Sequence, residues 1–492
     1  MKKITALLLL TIGLTGWLSQ RVSAQEVQVL TLEKALEIAY KNSPTLIKSK
    51  IKLQQDELSL VRQKAMLKSK FSLNLSPFSY SRQNLYDNYN SSYYTQKTMS
   101  SNGSFSIDQP IIWTGGTISL TERLNWQDAN NQSRGGKNTS FNNDLSLTLT
   151  QPIFKYNELK MQLKEIEYQL EESKISDAIT QLNIETSVTN DFYSVYKSYK
   201  SLLNQQESYK KVKESYELTK ALVEQDNRPK VELLEAETAL DEAEINLANA
   251  EIDYANTKDN FKKLLGLPLD EDISVLPKTE FDSVHVNTDL AIKYALDQRM
   301  EIRQRNIAIE KGLLNLIKIK AEDKFSGEIS ATVGLWNNSS NFTGAFQNLQ
   351  DKQDINLNVS IPIFDWGARK ASIRSTELSN ESSEIELDEE KKGIIIQIRQ
   401  ICRSLPQLYK EISIAKKRAD NAAIIYDINY EKYQSGQISN KDLQDYQNKL
   451  TSAKESYTNT IIQYKQKLLE LKINTLWDFE NNSSYLPVDL LK

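Results

Sequence analysis

The stretches "QPIFKYNELKMQLKE" (151–165) and "IPIFDWGARKASIRS" (361–375) share one plan. Each follows an alternating run, "DLSLTLT" (144–150) and "INLNVS" (355–360), and each passes through a Pro into a long charged segment. Leu145, Leu147 and Leu149 point one way while Ser146, Thr148 and Thr150 point the other. Ile355, Leu357, Val359 and Ile361 oppose Asn356, Asn358 and Ser360 in the same manner. Period two sets one face in an apolar medium and the other in a polar one. In a soluble sandwich the apolar side faces a core; in an outer-membrane barrel it faces lipid, with a wet lumen behind. Trp113, Trp126, Trp336 and Trp366, with Phe71, Phe78 and Tyr80, flank these runs as an interfacial girdle would.

Beyond each Pro the pattern turns helical. Between Glu158 and Glu224 there are 67 residues without Pro or Gly, a rod of about 100 Å. The matching stretch Ala368–Tyr433 contains Gly393 and Pro406, so a bend or irregularity is expected there. Val188, Phe192, Val195, Tyr199 and Leu202 step by 4, 3, 4, 3, and Ala236, Leu240, Ala243, Leu247, Ala250 and Tyr254 continue the rhythm. Such a seam with charged flanks is a helix-packing face, and a soluble coiled-coil rod would show the same periodicity.

The chain repeats itself. "KALEIAYKNSPTLIKSKIKL" (34–53) aligns with "LAIKYALDQRMEIRQRNIAI" (290–309) at an offset of 256, Ala35 on Ala291 and Ala39 on Ala295. Further on, Pro152 falls on Pro362, Phe154 on Phe364, Tyr216 on Tyr426 and Leu233 on Leu443 at an offset of 210. The 46-residue difference places extra chain in the Ser/Asn/Tyr-rich stretch 72–150 of the first copy. The expected plan is a first repeat at 25–265 (helix 31–69, strands and loops 70–152, long helices 153–265). A linker comes next at 266–290, then a second repeat at 291–476 (helix 291–322, strands 325–362, helices 363–475) and a tail at 477–492.

Lys2 and Lys3 before the apolar run Ile4–Leu18, with Val22-Ser23-Ala24 before Gln25, read as a secretory signal peptide at 1–24; a membrane anchor is the alternative. Removing its three basic and no acidic groups takes the net charge from −4 to −7, unlike a nucleic-acid binder. No later segment carries eighteen uncharged apolar residues, the length a helical membrane span requires. The single Cys402 excludes an internal disulfide, and with the single His285 it excludes the usual zinc sites and Cys/His nucleophile pairs. No Gly loop cradles a phosphate, so neither a cofactor nor a metal is expected. His285 reads as an exposed loop side chain and Cys402 as a buried, inert one.

Taken in order, the chain resembles the TolC-like outer membrane efflux proteins. The likeness is carried by "LTLEKALEIAYKNSPTL" (30–46), the corners "QPIF" and "IPIFDWGAR", and "YQSGQISNKDLQDYQNKLTSAK" (433–454), and spans about Leu30 to about Asp478. The resemblance implies a mainly α fold with a membrane β-barrel segment, built from a duplicated helix–β-hairpin–long-helix unit. It further implies a homotrimer sharing one barrel of four strands per subunit and twelve in all, continued by a periplasmic α-helical coiled-coil tunnel. The function so implied is a passive exit duct in the outer membrane. Its partners would be outer-membrane lipid, a periplasmic adaptor and an inner-membrane transporter of RND or ABC type. A stand-alone porin has only short periplasmic turns, and a periplasmic structural coiled coil would be soluble without detergent; both remain as alternatives. Catalysis through carboxylates alone is not expected.

Pro152 and Pro362 are then the barrel-to-helix corners, where Pro suits both the end of a strand ladder and a helix's first turn. Segment 433–445 corresponds to the periplasmic tip, with Gly436 in the turn. Asp442 and Asp445 match the family's acidic constriction, and three copies would set six partly protonated carboxylates round the opening. Glu232 and Glu235 occupy the matching first-copy positions. Equally, Asp442 and Asp445 decorate the first turn of a helix, where acids suit the dipole. Where the family carries a gate Arg, this chain has Ile438, while Arg228 stands at the matching first-copy position. One reading has Arg228 reaching acids of a neighbouring helix and Tyr433 bonding Glu232; the other makes Arg228 an ordinary surface residue. The extra strand-like runs of the first copy, including 104–127, either project above the membrane or pack at the barrel's face, or they enlarge the barrel; the first is the expectation. Segments 86–103 and 127–140 would then be surface loops.

Overall fold

A computed structural model of the chain describes residues 28–485, save 90, 132–135, 279–282 and 323. The expected signal peptide lies outside these. The first copy begins with β1 (Gln28–Leu30), α1 (Leu32–Asn42) and α2 (Pro44–Met66), followed by strands β2 (Lys70–Asp87), β3 (Ser92–Ile111), β4 (Gly116–Asn131) and β5 (Gly136–Ile153). It ends with α3 (Glu158–Glu224) and α4 (Lys230–Leu265). After β6 (Ile273–Val275), the second copy runs through α5 (Thr288–Gln298), α6 (Met300–Ala321), β7 (Ser326–Ser339), β8 (Gln350–Ser360), α7 (Ala368–Gln434) and α8 (Asn440–Thr475). The short strands β9 (Trp477–Asp478) and β10 (Ser483–Ser484) close the described chain.

The chain divides into two compact units. One gathers Met1–Lys50, Ser176–Arg299 and Lys392–Lys492 within the described residues; the other gathers Ile51–Ile175 and Met300–Lys391. In the first, β1 pairs parallel to β6. Around it pack Leu30, Ala35, Ala39, Val188, Phe192, Val195, Phe261 and Leu265, all fully buried. The duplicated alanines Ala291 and Ala295 are buried in the same way. Thr31 caps α1 and Asn287 caps α5, each accepting backbone N–H bonds through its side chain.

The second unit holds one six-stranded antiparallel sheet in the order β2-β3-β4-β5-β7-β8. Here the expectation for the extra hairpin is overturned. β3 and β4 do not project; they pair residue for residue, from Gln96↔Asn131 to Ile111↔Gly116, inside the sheet. Segments 86–103 and 127–140 are accordingly mostly strand, with Asp87 still paired to Ser92. A bulge between Ser76 and Ser79 takes in Pro77, a position that needs no ladder donor. Ion pairs fasten the surrounding helices: Arg303 to Glu171 at 2.6 Å and Glu310 at 2.9 Å, and Arg305 to Glu386 at 2.7 Å.

Two further expectations are corrected and one is narrowed. The helices read as 31–69 and 291–322 are each two, broken at Ser43 (ψ 123°) and Arg299 (ψ 128°). Pro44 explains the first break by disfavouring helix in the residue before it; the second persists without a Pro. Second, the helix does not break at Gly393 or Pro406: α7 runs as one element from Ala368 to Gln434 with Pro406 inside it. Pro406 removes one backbone bond, and burial of Ile398, Ile401 and Leu405 beside it holds the helix together. Third, Pro152 lies at the end of β5 and Pro362 just past β8, both several residues before a helix rather than in its first turn. The helix starts are capped by Asn157, whose Oδ1 accepts from Lys160 N–H, and by Asp365, which accepts from Arg369 N–H. Phe154 (φ 62°) and Trp366 (φ 56°) turn the corners.

Candidate functional site

The two turns joining α3 to α4 and α7 to α8 are copies of one structure. In the first, Asp226 N–H donates to the Val223 carbonyl and Asn227 N–H to the Leu222 carbonyl. In the second, Gly436 donates to Tyr433 and Gln437 to Lys432, each partner 210 residues further on. This is the Schellman ending, which needs one left-handed residue. Gly436 supplies it at φ 74° without strain, and Asp226 supplies it at φ 55°.

Past the turns the two copies diverge. Ser439 caps α8 through a full capping box: its Oγ accepts from Asp442 N–H at 3.2 Å, and the Asp442 carboxylate accepts from Ser439 N–H at 3.2 Å. Hydrogen bonds from the Ser439 side chain and backbone hold the Asp442 carboxyl below its ordinary range. Within one chain, then, the carboxylate is favoured over its protonated form. In the first copy the cap position is Pro229, which offers no side-chain bond.

The Arg228 side chain is only 7% exposed. From the turn before α4 it pairs with Glu232 in that helix's first turn, donates to the Tyr433 carbonyl at 2.9 Å and lies 4.6 Å from the centroid of the Tyr433 ring. The arginine thus ties the start of α4 to the end of α7, and the surface-residue reading is excluded. Tyr433 itself is fully buried. Its hydroxyl meets Thr219 Oγ1 rather than the expected Glu232. Asp445 and Glu235 are exposed on their helices, and Glu232 is half-buried.

Around this point Tyr426, Tyr433, Leu443 and Leu450 form a small core with Leu218, Tyr430, Ile438 and Tyr446 against it. Two buried polar bonds on α3 escaped the sequence reading: Ser215 Oγ donates to Asn440 Oδ1 at 2.9 Å, and the Thr219 hydroxyl meets that of Tyr433. The available signal was their spacing of four, which sets both hydroxyls on one helix face. Elsewhere, His285 is exposed as expected. Cys402 is half-buried rather than buried, and burial pushes its thiol up.

Among the described residues no helix is long and apolar enough to cross a membrane. The Campylobacter jejuni CmeC outer membrane channel is similar in fold, with a TM-score of 0.69 and 14% identity over 94% of this chain and 88% of that one. The open-state Neisseria gonorrhoeae MtrE outer membrane channel gives 0.65 and 15%, over 90% and 88% of the two chains. The Vibrio cholerae outer membrane protein VceC gives 0.64 and 13%, over 92% and 96%. No curated protein matches the chain in sequence. The family model for the outer membrane efflux protein matches residues 117–267 and 320–473, more than half of the chain, and the protein belongs to that family.

Proposed function

We propose that the chain is the outer-membrane exit duct of a tripartite efflux or type I secretion assembly. Three copies share one barrel and continue it as a helical tunnel toward the inner membrane. The observation that carries this reading is the joining, in one chain, of a six-stranded sheet with one largely apolar face to two 67-residue helices. A porin has no use for helices of about 100 Å, and a periplasmic rod has no use for the sheet. Cargo is chosen by an inner-membrane transporter of RND or ABC type and handed over through a periplasmic adaptor, so the duct needs no cofactor and no substrate pocket. The turns around Arg228 and Gly436 form the periplasmic end. Asp442 and Asp445, widened by Glu232 and Glu235, make an acidic ring there that attracts cations.

The test is single-channel conductance of the purified trimer in planar bilayers, with a trivalent cation on the periplasmic side. A small cation-selective conductance, blocked in the wild type and freed of block by Asp442→Ala/Asp445→Ala, supports the duct and its ring. A large conductance indifferent to both aspartates would mean a porin-like pore.

A further inference from the structure

The resemblance to four-stranded subunits leaves the inserted hairpin β3–β4 without a role. Its register supplies one. On β3, Phe105 and Ile107 stand opposite Leu73 and Phe71 of β2. On β4, Leu120 pairs with Leu147 of β5, which pairs with Val333 of β7. That row is apolar across five strands and ends at Gln353 of β8, where the apolar positions are instead Ile355, Leu357 and Val359 beside Ala331, Ile329 and Gly327. The inserted pair carries the apolar face from β2 to β5, with Glu122 the charged side chain on it. The opposite face stays polar through the same strands: Ser104, Ser106, Ser119 and Thr121 lead on to Ser146 and Thr148. A lobe standing in water would have no reason to keep such a face.

The apolar band is also not level with the hydrogen-bonded rows. On β8 it extends to Ile361, beyond the Ser326↔Ser360 pair, whereas on β2 and β3 it reaches Tyr80 and Met99. The row of Met99 is already polar at Asp128 and Thr139. A band that climbs from strand to strand is what a level membrane inscribes on tilted barrel strands. Finally, β2 and β8 are the two ends of the sheet, each with a single neighbour among the described residues. With six antiparallel strands per chain they run in opposite directions, so β8 of one copy can meet β2 of the next in antiparallel register.

We infer that three chains close an eighteen-stranded barrel, with β3 and β4 in the membrane wall and a second copy of this chain as the partner of each open edge. The inference rests on the proposed trimeric duct. At a strand spacing of about 4.8 Å and a tilt of about 40°, eighteen strands give a backbone diameter of about 36 Å, against about 24 Å for twelve. The outlet is correspondingly wider than a twelve-stranded one.

Site-directed spin labelling of the purified trimer in liposomes, in a Cys402→Ser background, tests this. Labels at Phe105→Cys and Leu120→Cys report the hairpin, Leu147→Cys and Val333→Cys serve as references on neighbouring strands, and Ser104→Cys and Thr121→Cys report the opposite face. Phe105 and Leu120 are expected to match the references, open to oxygen and shielded from a water-soluble nickel chelate, while 104 and 121 admit the chelate. Chelate access at 105 and 120 with shielded references would overturn the eighteen-stranded barrel and leave the duct standing. Chelate access at the references themselves would overturn the duct as well. Glu122, flanked by Leu120 and Leu124 on the apolar face, gives an independent readout. Glu122→Leu should raise the temperature at which the trimer dissociates in detergent, since a lipid-facing carboxylate is unfavourable; a lower temperature would mean that the hairpin stands in water.

Discussion

Arg228 lies over the ring of Tyr433, 4.6 Å from its centroid, and bonds that residue's own carbonyl at 2.9 Å. One side chain thereby joins two helical hairpins through ring and backbone at once. Removing it leaves Glu232 without its partner while the Tyr433 carbonyl keeps the Gly436 N–H, which costs about 1–2 kcal/mol. Arg228→Ala should therefore speed amide exchange around 228–235 and 430–438 and raise channel conductance. Arg228→Lys should recover less than half of the protection, because an ammonium cannot stack and fork together. Unchanged exchange in the alanine variant would remove Arg228 from any fastening role.

Asp442 and Asp445 should separate under mutation. Only Asp442 belongs to the capping box, so Asp442→Ala frays the first turn of α8 while Asp445→Ala leaves it intact, as amide exchange at 440–444 would record. The folded Asp442 carboxyl is depressed below its ordinary 3.8. Its contribution to the cap is complete above that value and is lost as the pH falls through the lowered one. Equal fraying in both variants would contradict the cap assignment.

The paired turns make opposite predictions for one substitution type. Gly436 sits at φ 74° with open space around a would-be Cβ, so Gly436→Ala is penalised by backbone strain alone, about 1 kcal/mol. Asp226 already bears that strain at φ 55°, and Asp226→Gly should be neutral or raise stability by up to about 0.5 kcal/mol. Thermal midpoints of the two variants should move in opposite directions or only the first should fall; a larger fall for Asp226→Gly would show that its side chain matters at the turn.

These turns show how far the amino-acid order could be read. Helix α3 was legible because nothing between Glu158 and Glu224 can stop it, and the cap at Ser439 because Ser-x-x-Asp writes a capping box in four letters. The first half of β3 and the upper part of β2 were not legible. In "YDNYNSSYYTQKTMSSNG" polar residues fall on both faces, and period two fades even though the ladder continues. The Thr219–Tyr433 contact was out of reach for another reason: the partners are 214 residues apart, and no local pattern joins them.

Near the chain's end, Asp478 offers a pH probe. Burial alone would raise its carboxyl, but bonds from Lys472 and Asn481 outweigh this and bring it down to about 2. The depressed value means stability that is present above the ordinary 3.8 and lost as the pH falls toward 2. Asp478→Asn should lower stability at pH 7 by about 1–2 kcal/mol and flatten the acid limb of the profile between pH 4 and about 2. An unaltered acid limb would mean that the Lys472 pair at 2.9 Å carries no net free energy.

Helices α4 and α8 descend from one ancestor yet turn different sides inward. In α4 the buried residues near the turn are Ala236, Ala239 and Ala243, which correspond to 446, 449 and 453 of α8. In α8 the buried residues are Leu443, Gln447 and Leu450, which correspond to 233, 237 and 240 of α4. Ala239 lines one cleft with Leu443 and Gln447, while Leu443 and Leu450 pack with Tyr426 and Tyr433, so the halves of the duplication have become non-equivalent parts. A chain built from two identical halves would set alanine against alanine and leave a gap, or leucine against leucine and force the helices apart. The duplication can no longer be undone by exchange or recombination of its halves, and each helix now evolves under the constraint of its sister.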